Sequence, residues 1–448
     1  MSRAIRTESR HPPRVATLEL GERLRTLRVS AGLTQSELAG DRFSKEYVSQ
    51  IERGKTRPTP ATVKWLAARL GVDAGFLANG VSTEQRTRAE AGLARAEALA
   101  EEGRFEAALR AFEHIRADVA TTAAPELEVR MACSEWRALV SAGRVREALE
   151  GLERARALAE GPGFSDLDRA EILWRMGASR SLLASTTTAL GLLNQAFELA
   201  ERSGYPCDLV KANILHWRSR CFRVQRDYEA AREDVALALE LAESTQDTRT
   251  LGHLYFQASL LADRAGHWVL ARSYAEKAKA LYEEVADRAN VGKLLNNLGI
   301  VSFLLGHSDD AVSHLKAAFA TALEVGNEAD AARAASSLAQ VNLRKGEPAL
   351  AEEQARQALR LLAGRADDLD EIGNAQLVLG RSLLDQGRLD EAAVQLDAAE
   401  SSFTQLSSAS LTAAAWIAQG DLAVARRDDR GAARLYRRAA EALQDVRF

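Results

Sequence analysis

The chain has 448 residues, of which 46% are hydrophobic and 27% are charged, and it is too long for one ordinary compact domain. A low aromatic content of 6%, with 8 Pro and 29 Gly, excludes collagen-like chains, low-complexity disorder and most all-β folds. The net charge of −4 is unevenly distributed along the chain. Residues 1–80 carry 14 Lys and Arg against 8 Asp and Glu, a balance of +6, which leaves −10 for the remaining residues. We therefore expect only the N-terminal part to bind a polyanion.

The sequence also bounds the cellular context and the chemistry of the chain. No apolar run approaches the roughly 18 residues that a membrane span needs, and residues 1–16 lack the apolar stretch of a secretory signal. The three Cys and seven His include no CxxC pair and no HExxH motif. We therefore expect a cytoplasmic protein with no membrane contact, no bound metal and no cofactor.

Residues 17–80 predict five short helices that form one domain. The apolar positions have helical spacing, and polar residues with capping preferences stand where helices should begin. In chain order the signals are the leucines 20, 24 and 27, a capping box of Thr34 with Glu37, a cap at Ser44 and Pro60 in a first turn.

Three stretches of this domain form a recognisable pattern. They read Leu-Thr-Gln-Ser-Glu-Leu-Ala at 33–39, Tyr-Val-Ser-Gln-Ile-Glu-Arg-Gly at 47–54 and Leu-Gly-Val at 70–72. With these stretches the domain resembles the XRE (lambda-repressor-like) family of helix-turn-helix DNA-binding domains. It departs from that family at residues 40–43, where the turn is about one residue shorter than usual and Phe43 replaces a small aliphatic residue.

The resemblance implies an interface in the major groove of DNA. The start of the second helix would read base edges, and the preceding helix and the following loop would contact phosphates. A flexible basic arm over 1–16 would add phosphate contacts from Arg3, Arg6, Arg10 and Arg14. An alternative for Glu46 is a solvated helix residue that pairs with Lys45. The implied DNA-binding residues are Gln35, Ser44, Lys45, Glu46, Ser49, Gln50, Arg53, Lys55 and Arg57.

Residues 84–448 form an internal repeat. A turn-like motif, Gly-Arg-Phe-Glu-Ala-Ala at 103–108, recurs with an Ala five residues after its first position. Its first positions are residues 103, 143, 184, 226, 266, 306, 346, 387 and 427, at steps of 40 to 42 residues. The segments between them are rich in Ala, Leu, Glu and Arg, so each unit is predicted to be a pair of helices.

These units resemble the tetratricopeptide repeat (TPR). The resemblance is carried by Asn-Asn-Leu-Gly at 296–299, by Gly306 and by Ala311, although the period exceeds the usual length of about 34 residues. The predicted fold is therefore all-α, with a lambda-repressor-like domain followed by a TPR-like solenoid of about nine helix pairs. A solenoid of this kind has a concave face lined by the first helix of each pair.

The offsets of the TPR family select the residues of this concave face. They are rich in Arg, Asn, Gln and aromatic side chains, which suit the backbone and the carboxylates of an extended peptide. The alternative is that the arginines pair with nearby Asp and Glu and that the aromatics pack between units. The candidate peptide-binding residues are Asn213, His216, Trp217, Arg220, Arg223, His253, Phe256, Gln257, Lys293, Asn296, Asn297, Phe303, Arg333, Gln340, Asn374 and Arg381. The same offsets select Leu260, Asp263, Ile300, Ser336, Ser337 and Leu343, and, in earlier units, Arg130, Arg137, Trp174 and Arg175.

An XRE domain joined to TPR repeats resembles the RRNPP-type, peptide-responsive regulators of quorum sensing. The resemblance implies a homodimeric transcription regulator that binds a palindromic operator and whose affinity for double-stranded DNA is modulated by a short signalling peptide. A second hypothesis is a constitutive regulator whose solenoid serves only dimerisation or protein–protein interaction. An enzymatic array is a third, and we do not expect an enzyme, because no phosphate loop, metal cluster or nucleophile–base pair emerges from the sequence.

Overall fold

A computed structural model describes residues 19–122, 124–365, 368–406 and 408–444. The regular secondary structure in these ranges is helical, which confirms the predicted all-α class. The proposed basic arm, with Arg3, Arg6, Arg10 and Arg14, lies outside the described residues. The chain divides into two compact units, Met1–Cys207 and Asp208–Phe448.

The first unit begins with five short helices around a small core. Their bounds are α1 Leu20–Ser30, α2 Gln35–Ala39, α3 Lys45–Glu52, α4 Pro60–Leu70 and α5 Ala74–Asn79. The predicted capping box of Thr34 and Glu37 is present, Ser44 caps α3, and Pro60 occupies the first turn of α4. Leucine and valine side chains that are at most 1% exposed fill the centre, as at Leu24, Leu38 and Val48.

Nine antiparallel helix pairs follow in the part of the chain that the structure describes, as the spacing of the turn motif predicted. Three pairs lie in the first unit, with bounds α6 Thr83–Glu101, α7 Phe105–Thr121, α8 Pro125–Ser141, α9 Val145–Leu158, α10 Asp166–Leu182 and α11 Thr186–Arg202. Six pairs lie in the second unit, with bounds α12 Asp208–Val224, α13 Tyr228–Thr245, α14 Thr248–Arg264, α15 Trp268–Glu284, α16 Arg288–Leu304, α17 Ser308–Glu324, α18 Glu328–Arg344, α19 Pro348–Leu361, α20 Leu369–Asp385, α21 Leu389–Gln405, α22 Ala409–Ala425 and α23 Asp429–Gln444.

The turn inside each pair explains the glycines of the repeat. All nine first positions of the motif have a left-handed φ between 59° and 87°, including the non-glycine residues Ala184, Arg226 and Arg427. The left-handed residue ends the first helix, and the next backbone N–H bonds back into it, as from His307 N to Ser302 O at 2.9 Å. The turn positions that the sequence predicts for the repeats are therefore the turn positions of the structure.

Small residues let the two helices of a pair approach closely. A Cβ atom built on Gly299 of α16 would lie 2.5 Å from Leu315 Cγ and 3.2 Å from Ala311 O, and both of these residues belong to the facing helix α17. Gly292, two turns earlier in α16, has room for a Cβ atom. That atom would lie 3.4 Å from Thr321 Cγ2, which is an ordinary van der Waals contact distance. The glycine of the Asn-Asn-Leu-Gly stretch is therefore required by packing.

We expect Gly299→Ala to destabilise the second unit. Overpacking of this kind costs about 1–3 kcal/mol, against which the better helix propensity of Ala returns at most about 1 kcal/mol. Gly292→Ala in the same helix gains the propensity without the clash, so it should leave stability unchanged or raise it. Urea unfolding of the two variants followed by circular dichroism checks this, and equal unfolding midpoints would contradict the packing argument.

The second unit curves on itself. The first helices of neighbouring pairs contact one another, as α12 contacts α14 and α16 contacts α18. These first helices therefore lie side by side on the inner face of the unit. At one edge, Arg226 Nη2 in the α12–α13 turn donates to Ser410 Oγ in α22 at 3.3 Å, across 184 residues of chain. The inner face of this unit is therefore a groove lined by α12, α14, α16, α18 and α20.

Candidate functional site

The second and third helices present the side chains predicted to read DNA. Ser44 Oγ accepts from Tyr47 N at 3.1 Å, so the residue fixes the start of α3. Lys45, Glu46 and Gln50 are exposed on α3, and Ser49 is half-buried beside them. The loop that follows exposes its cations, Arg53, Lys55 and Arg57. Apart from Gln35 on α2, the described residues that were predicted to read bases or to contact phosphates therefore lie on one continuous segment, residues 44–57.

Phe43 accounts for the shortened turn before α3. Its ring packs edge-on against Trp65 at 5.1 Å between centroids and tilts against Tyr47 at 5.3 Å. The aromatic side chain thus fills the space between α3 and α4 that the shorter turn would leave. Tyr47 is part of this packing, and the core that contacts α3 includes Val48 and Ile51 of that helix.

A buried ion pair holds the far end of α3. Glu52 accepts from Arg28 Nε at 2.6 Å and from Arg28 Nη2 at 3.2 Å, and from Gln35 Nε2 at 2.8 Å. Gln35 was predicted to meet a phosphate, and the structure shows its amide held by this carboxylate. Sequence reasoning missed Arg28 and Glu52, because residues 24 apart in different helices show no spacing signal.

The groove of the second unit brings several predicted residues together. Ile300 and Phe303 of α16 face Ser337 and Gln340 of α18, and with their neighbours they line a pocket of about 110 Å³. Asn296, one turn before Ile300, has a buried side-chain oxygen without a hydrogen-bond partner among the described residues. A polar acceptor and an apolar pocket therefore share one face of α16.

Other predicted groove residues serve the packing of the repeats. Asn297 is buried, and its Nδ2 donates to Ser259 Oγ at 2.9 Å, so its amide links α16 to α14. Gln257 is buried and accepts from Arg223 Nε at 3.2 Å. Phe256 is half-buried against the core of the neighbouring helices. The amide nitrogen of Asn297 therefore supports the packing of the array, and a contact of this residue with a peptide stays a prediction.

The remaining predicted residues have weaker or local contacts. Asn213 Nδ2 donates to Leu209 O at 2.9 Å, and Lys293 Nζ lies 3.9 Å from Asp330 Oδ2. Trp217 packs edge-on against His216, with the guanidinium carbon of Arg220 5.8 Å from the Trp217 ring centroid. Asn374 is half-buried on α20.

Two arginines of the groove have no charged partner. Within the described part of the second unit, neither Arg220 nor Arg223 has a carboxylate at ion-pair distance, and Arg220 Nε is buried without a hydrogen-bond partner. Burial and the neighbouring Arg220 and Arg264 lower the pKa of Arg223 to about 10. Burial, with the charge of Arg333, also lowers the pKa of Arg220. These side chains are unneutralised cations in a partly desolvated groove.

The other predicted arginines differ in how they are neutralised. Arg333 donates to Glu371 Oε1 at 2.6 Å and to Asp330 Oδ1 at 2.8 Å, so the pairing alternative holds for it. Arg381 Nη2 donates to the backbone oxygen of Ala414 at 3.4 Å, and burial lowers the pKa of the guanidinium.

The three predicted arginines of the first unit each have a carboxylate partner. Arg130 donates to Glu97 at 2.8 Å, Arg137 lies 3.5 Å from Glu101, and Arg175 pairs with Glu171. Among the predicted arginines, those without a carboxylate at ion-pair distance therefore belong to the second unit.

Two histidines lie in contact at the start of the groove. The rings of His216 and His253 are 5.3 Å apart, and His253 Nδ1 is 2.6 Å from Tyr282 Oη. Burial lowers the pKa of His253 to about 4, aided by Arg249 and Lys293 and opposed by Asp287 and Asp247. Burial, with His253, Arg220 and Arg223, lowers the pKa of His216. Both imidazoles are therefore neutral in the folded unit at pH 7.

We expect this pair to make the second unit sensitive to acid. In the unfolded chain His253 takes up a proton near its ordinary pKa of 6.5, whereas in the folded chain it does so only near 4. Stability is therefore full above pH 6.5 and falls as the pH drops toward 4, by on the order of 3 kcal/mol for this group. Urea unfolding across this range checks the slope. His253→Gln should flatten it, while the exposed His307→Gln should not, and equal slopes in the two variants would contradict the assignment.

No helix within the described ranges is long and apolar enough to span a bilayer. Family comparisons match a helix-turn-helix domain at residues 19–77 and a tetratricopeptide repeat at residues 290–363. These two ranges include α3 with its exposed side chains and the pocket between α16 and α18.

Two curated proteins resemble the N-terminal domain. The HTH-type transcriptional regulator DdrOP3 of Deinococcus deserti is 40% identical over 65 residues, which is 14% of this chain and half the length of that protein. The uncharacterized HTH-type transcriptional regulator y4dJ of Sinorhizobium fredii is 44% identical over 54 residues, which is 12% of this chain and 70% of that protein.

Solved structures resemble the fold of most of the chain. A Rap protein complexed with competence and sporulation factor superposes with a TM-score of 0.61 at 16% identity, covering 80% of this chain and 98% of that one. The apo form of the quorum sensor NprR from B. thuringiensis gives a TM-score of 0.56 at 13% identity, covering 79% and 98%. At these identities the likeness establishes the helical-repeat fold.

Proposed function

The chain belongs to the HTH-type transcriptional regulators, and we propose that the groove of its second unit binds a short anionic peptide that modulates operator binding. Binding of DNA is the part of this function that the helix-turn-helix domain carries. The peptide, the homodimer and the palindromic operator are the parts that we add. The proposal is supported by the helical-repeat fold that the chain shares with a Rap protein complexed with competence and sporulation factor and with the quorum sensor NprR.

The observation that carries the proposal is the pair of unneutralised cations in the groove. A buried charge without a partner is costly, and a guanidinium finds its best partner in a carboxylate held by two hydrogen bonds. Arg220 and Arg223 are half-buried on α12, and no carboxylate of the residues described for this unit lies at ion-pair distance from either guanidinium. A ligand carboxylate supplies the missing charge, so the ligand is anionic.

The rest of the groove suits an extended peptide. Among the described residues, neither the side-chain oxygen of Asn296 nor Ser336 Oγ has a hydrogen-bond partner, and both atoms are buried. Gln340 is exposed. Peptide N–H and C=O groups satisfy donors and acceptors spaced along successive helices in this way. A small rigid anion would satisfy the arginines and leave these amides unpaired.

The DNA half of the proposal places α3 in the major groove. We call the helix-turn-helix domain, residues 19–80, the head. The two heads of a symmetric dimer would then read half-sites about one helical turn apart. Lys45, Glu46, Ser49 and Gln50 would face base edges, while the Arg53–Arg57 loop contacts phosphates.

We expect Gln50→Ala to relax base preference. Gln50 is exposed on α3 and its Oε1 accepts from Thr56 Oγ1 at 3.0 Å, which holds the amide at the end of the helix. Loss of a good base contact costs about 1–3 kcal/mol of discrimination at one position. Lys55→Ala is the contrast, because loss of a phosphate contact should weaken all sequences alike and reduce the salt slope by about one. Selection of operators from a random library by each variant, repeated at two salt concentrations, separates the two. An unchanged preference for Gln50→Ala would remove it from the base-reading set.

Hydrogen bonds to one carboxylate connect the helix-turn-helix domain to the first repeat pair. Asp73 caps α5 by accepting from Phe76 N at 2.9 Å and also accepts from Thr83 N, at the start of α6, at 2.8 Å. A ligand shifts the regulator between two states only by its difference in affinity for them. We propose that the peptide favours one curvature of the second unit and so one arrangement of the two heads.

The experiment that tests the proposal is the release of bound peptides. Protein purified from its native host is denatured in acid, and the released material is analysed by mass spectrometry. We expect a short peptide that carries a carboxylate, and the Arg220→Gln protein purified in parallel should lack it. If wild type and variant release the same material, the groove assignment is wrong.

A further inference from the structure

The pocket between α16 and α18 is separate from the two unpaired arginines on α12. Its walls are Ile300, Phe303 and Leu304 from α16 and Ser337, Val341 and Arg344 from α18. The interior is apolar, and one cation lies on its lining. Arg344 is exposed, and the carbon of its guanidinium stands 5.9 Å from the centroid of the Phe303 ring.

The volume of the pocket limits what it holds. Pockets for complete small-molecule ligands measure about 300–1,000 Å³, and this one measures about 110 Å³. It has room for one side chain of the size of leucine or phenylalanine. Phe303, Ile300 and Val341 give such a side chain apolar surface on three sides, so the pocket selects against a charged one.

The rim of the pocket supplies a charge. Within the described ranges of the second unit, Arg344 has no carboxylate at ion-pair distance, and the nearest aromatic ring to its guanidinium on the lining is that of Phe303. Its guanidinium is the one charged group on the lining. An apolar side chain in the pocket with a carboxylate on the adjacent backbone atom matches the C-terminal residue of a peptide, in which both groups are attached to the same Cα.

The acceptor of Asn296 fits the same placement. Asn296, Ile300 and Phe303 follow one another at steps of four and three residues, so they share a face of α16. A peptide whose last side chain enters the pocket runs back along this face, where its backbone N–H groups meet the unpartnered Asn296 oxygen.

We propose that this pocket recognises the C-terminal residue of the ligand, as an apolar side chain in the cavity with its free carboxylate on Arg344. The inference rests on the proposed peptide-binding function and adds to it the chemistry of one end. The ligand is then a peptide with an unblocked, apolar C-terminal residue, and an internal acidic residue serves Arg220 and Arg223.

The test uses the full chain and pools of short, N-terminally fluorescent peptides with randomised inner positions. The pools end in Leu, Phe, Ala or Lys, each as the free acid and as the amide, and binding is followed by fluorescence anisotropy. We expect the Leu and Phe acids to bind about tenfold or more tightly than their amides and than the Lys acid, as for loss of a charge-assisted hydrogen bond. Ser337→Leu, which fills the pocket, and Arg344→Gln should each abolish this preference, while Ser337→Ala should keep it.

The outcomes separate the two proposals. If the pools bind, and Arg220→Gln weakens them, but the last residue and its carboxylate make no difference, the pocket inference is wrong and the proposed function stands. If the preference persists in Ser337→Leu, the last residue lies elsewhere and the inference is again wrong. If no pool binds the wild-type chain, the peptide-binding function falls and the pocket inference falls with it.

Discussion

Replacing Arg220 with Gln is expected to abolish the response of DNA binding to the peptide while leaving operator affinity without peptide unchanged. The guanidinium is half-buried and has an unpartnered Nε, so its role in the free protein is small and its role in the complex is large. Removing one partner of a buried charge pair costs about 2 kcal/mol or more, which is about a thirtyfold loss of peptide affinity. Titration of operator affinity with the peptide fraction released from the wild-type protein measures the effect.

Arg130→Gln is the matched control. Arg130 occupies the equivalent face in the first unit, where Glu97 neutralises it. Its loss should leave the peptide response within twofold of the wild type, a difference of about 0.4 kcal/mol. A response that survives in Arg220→Gln, or one that is lost equally in both variants, would place the ligand outside the groove of the second unit.

Replacing Glu52 with Ala is expected to unfold the head and abolish DNA binding. The Glu52 side chain is 3% exposed and that of Arg28 is 12% exposed, so the variant leaves a guanidinium buried without its charge partner. Breaking a buried pair from one side costs about 3–5 kcal/mol, which is a large part of the stability of a small domain. The Gln35 amide loses its acceptor at the same time.

Glu22→Ala removes an exposed carboxylate from α1 and serves as the control, with an expected change within about 0.5 kcal/mol. Hydrogen exchange of residues 19–80 in the full chain reports the local stability of the head for both variants. Protection in Glu52→Ala equal to that of the wild type would show that packing alone orients α3.

Much of the fold was predictable because the repeat encodes backbone geometry. A left-handed residue must end each first helix, and glycine is the residue that adopts this conformation most easily, so the turns recur visibly at residues such as Gly306 and Gly346. Arg226 shows that the register carries the prediction where the glycine is absent, since its φ is 66°. The caps at Thr34 and Ser44 were predictable for the same reason, because they act within three residues.

The candidate sites were predictable only in part, because pairing between helices leaves no local pattern. The family offsets brought Ile300, Phe303, Ser337 and Gln340 together correctly. The same offsets could not tell that Asn297 turns into the array. Neutralisation depends on which carboxylate stands on the neighbouring helix, as Glu371 does for Arg333, and so the unpaired state of Arg220 needed the structure.

The central claim is that occupancy of the groove and affinity for DNA are coupled. The most direct measurement is a cycle in which operator affinity is determined with and without saturating peptide, and peptide affinity with and without saturating operator. Coupling predicts that both ratios differ from one and are equal, with a coupling energy of about 1–3 kcal/mol. If peptide binds in the groove but neither the operator affinity nor the peptide affinity changes when the other ligand is present, the account is contradicted. The chain would then be a regulator whose DNA binding does not depend on a ligand of its repeats.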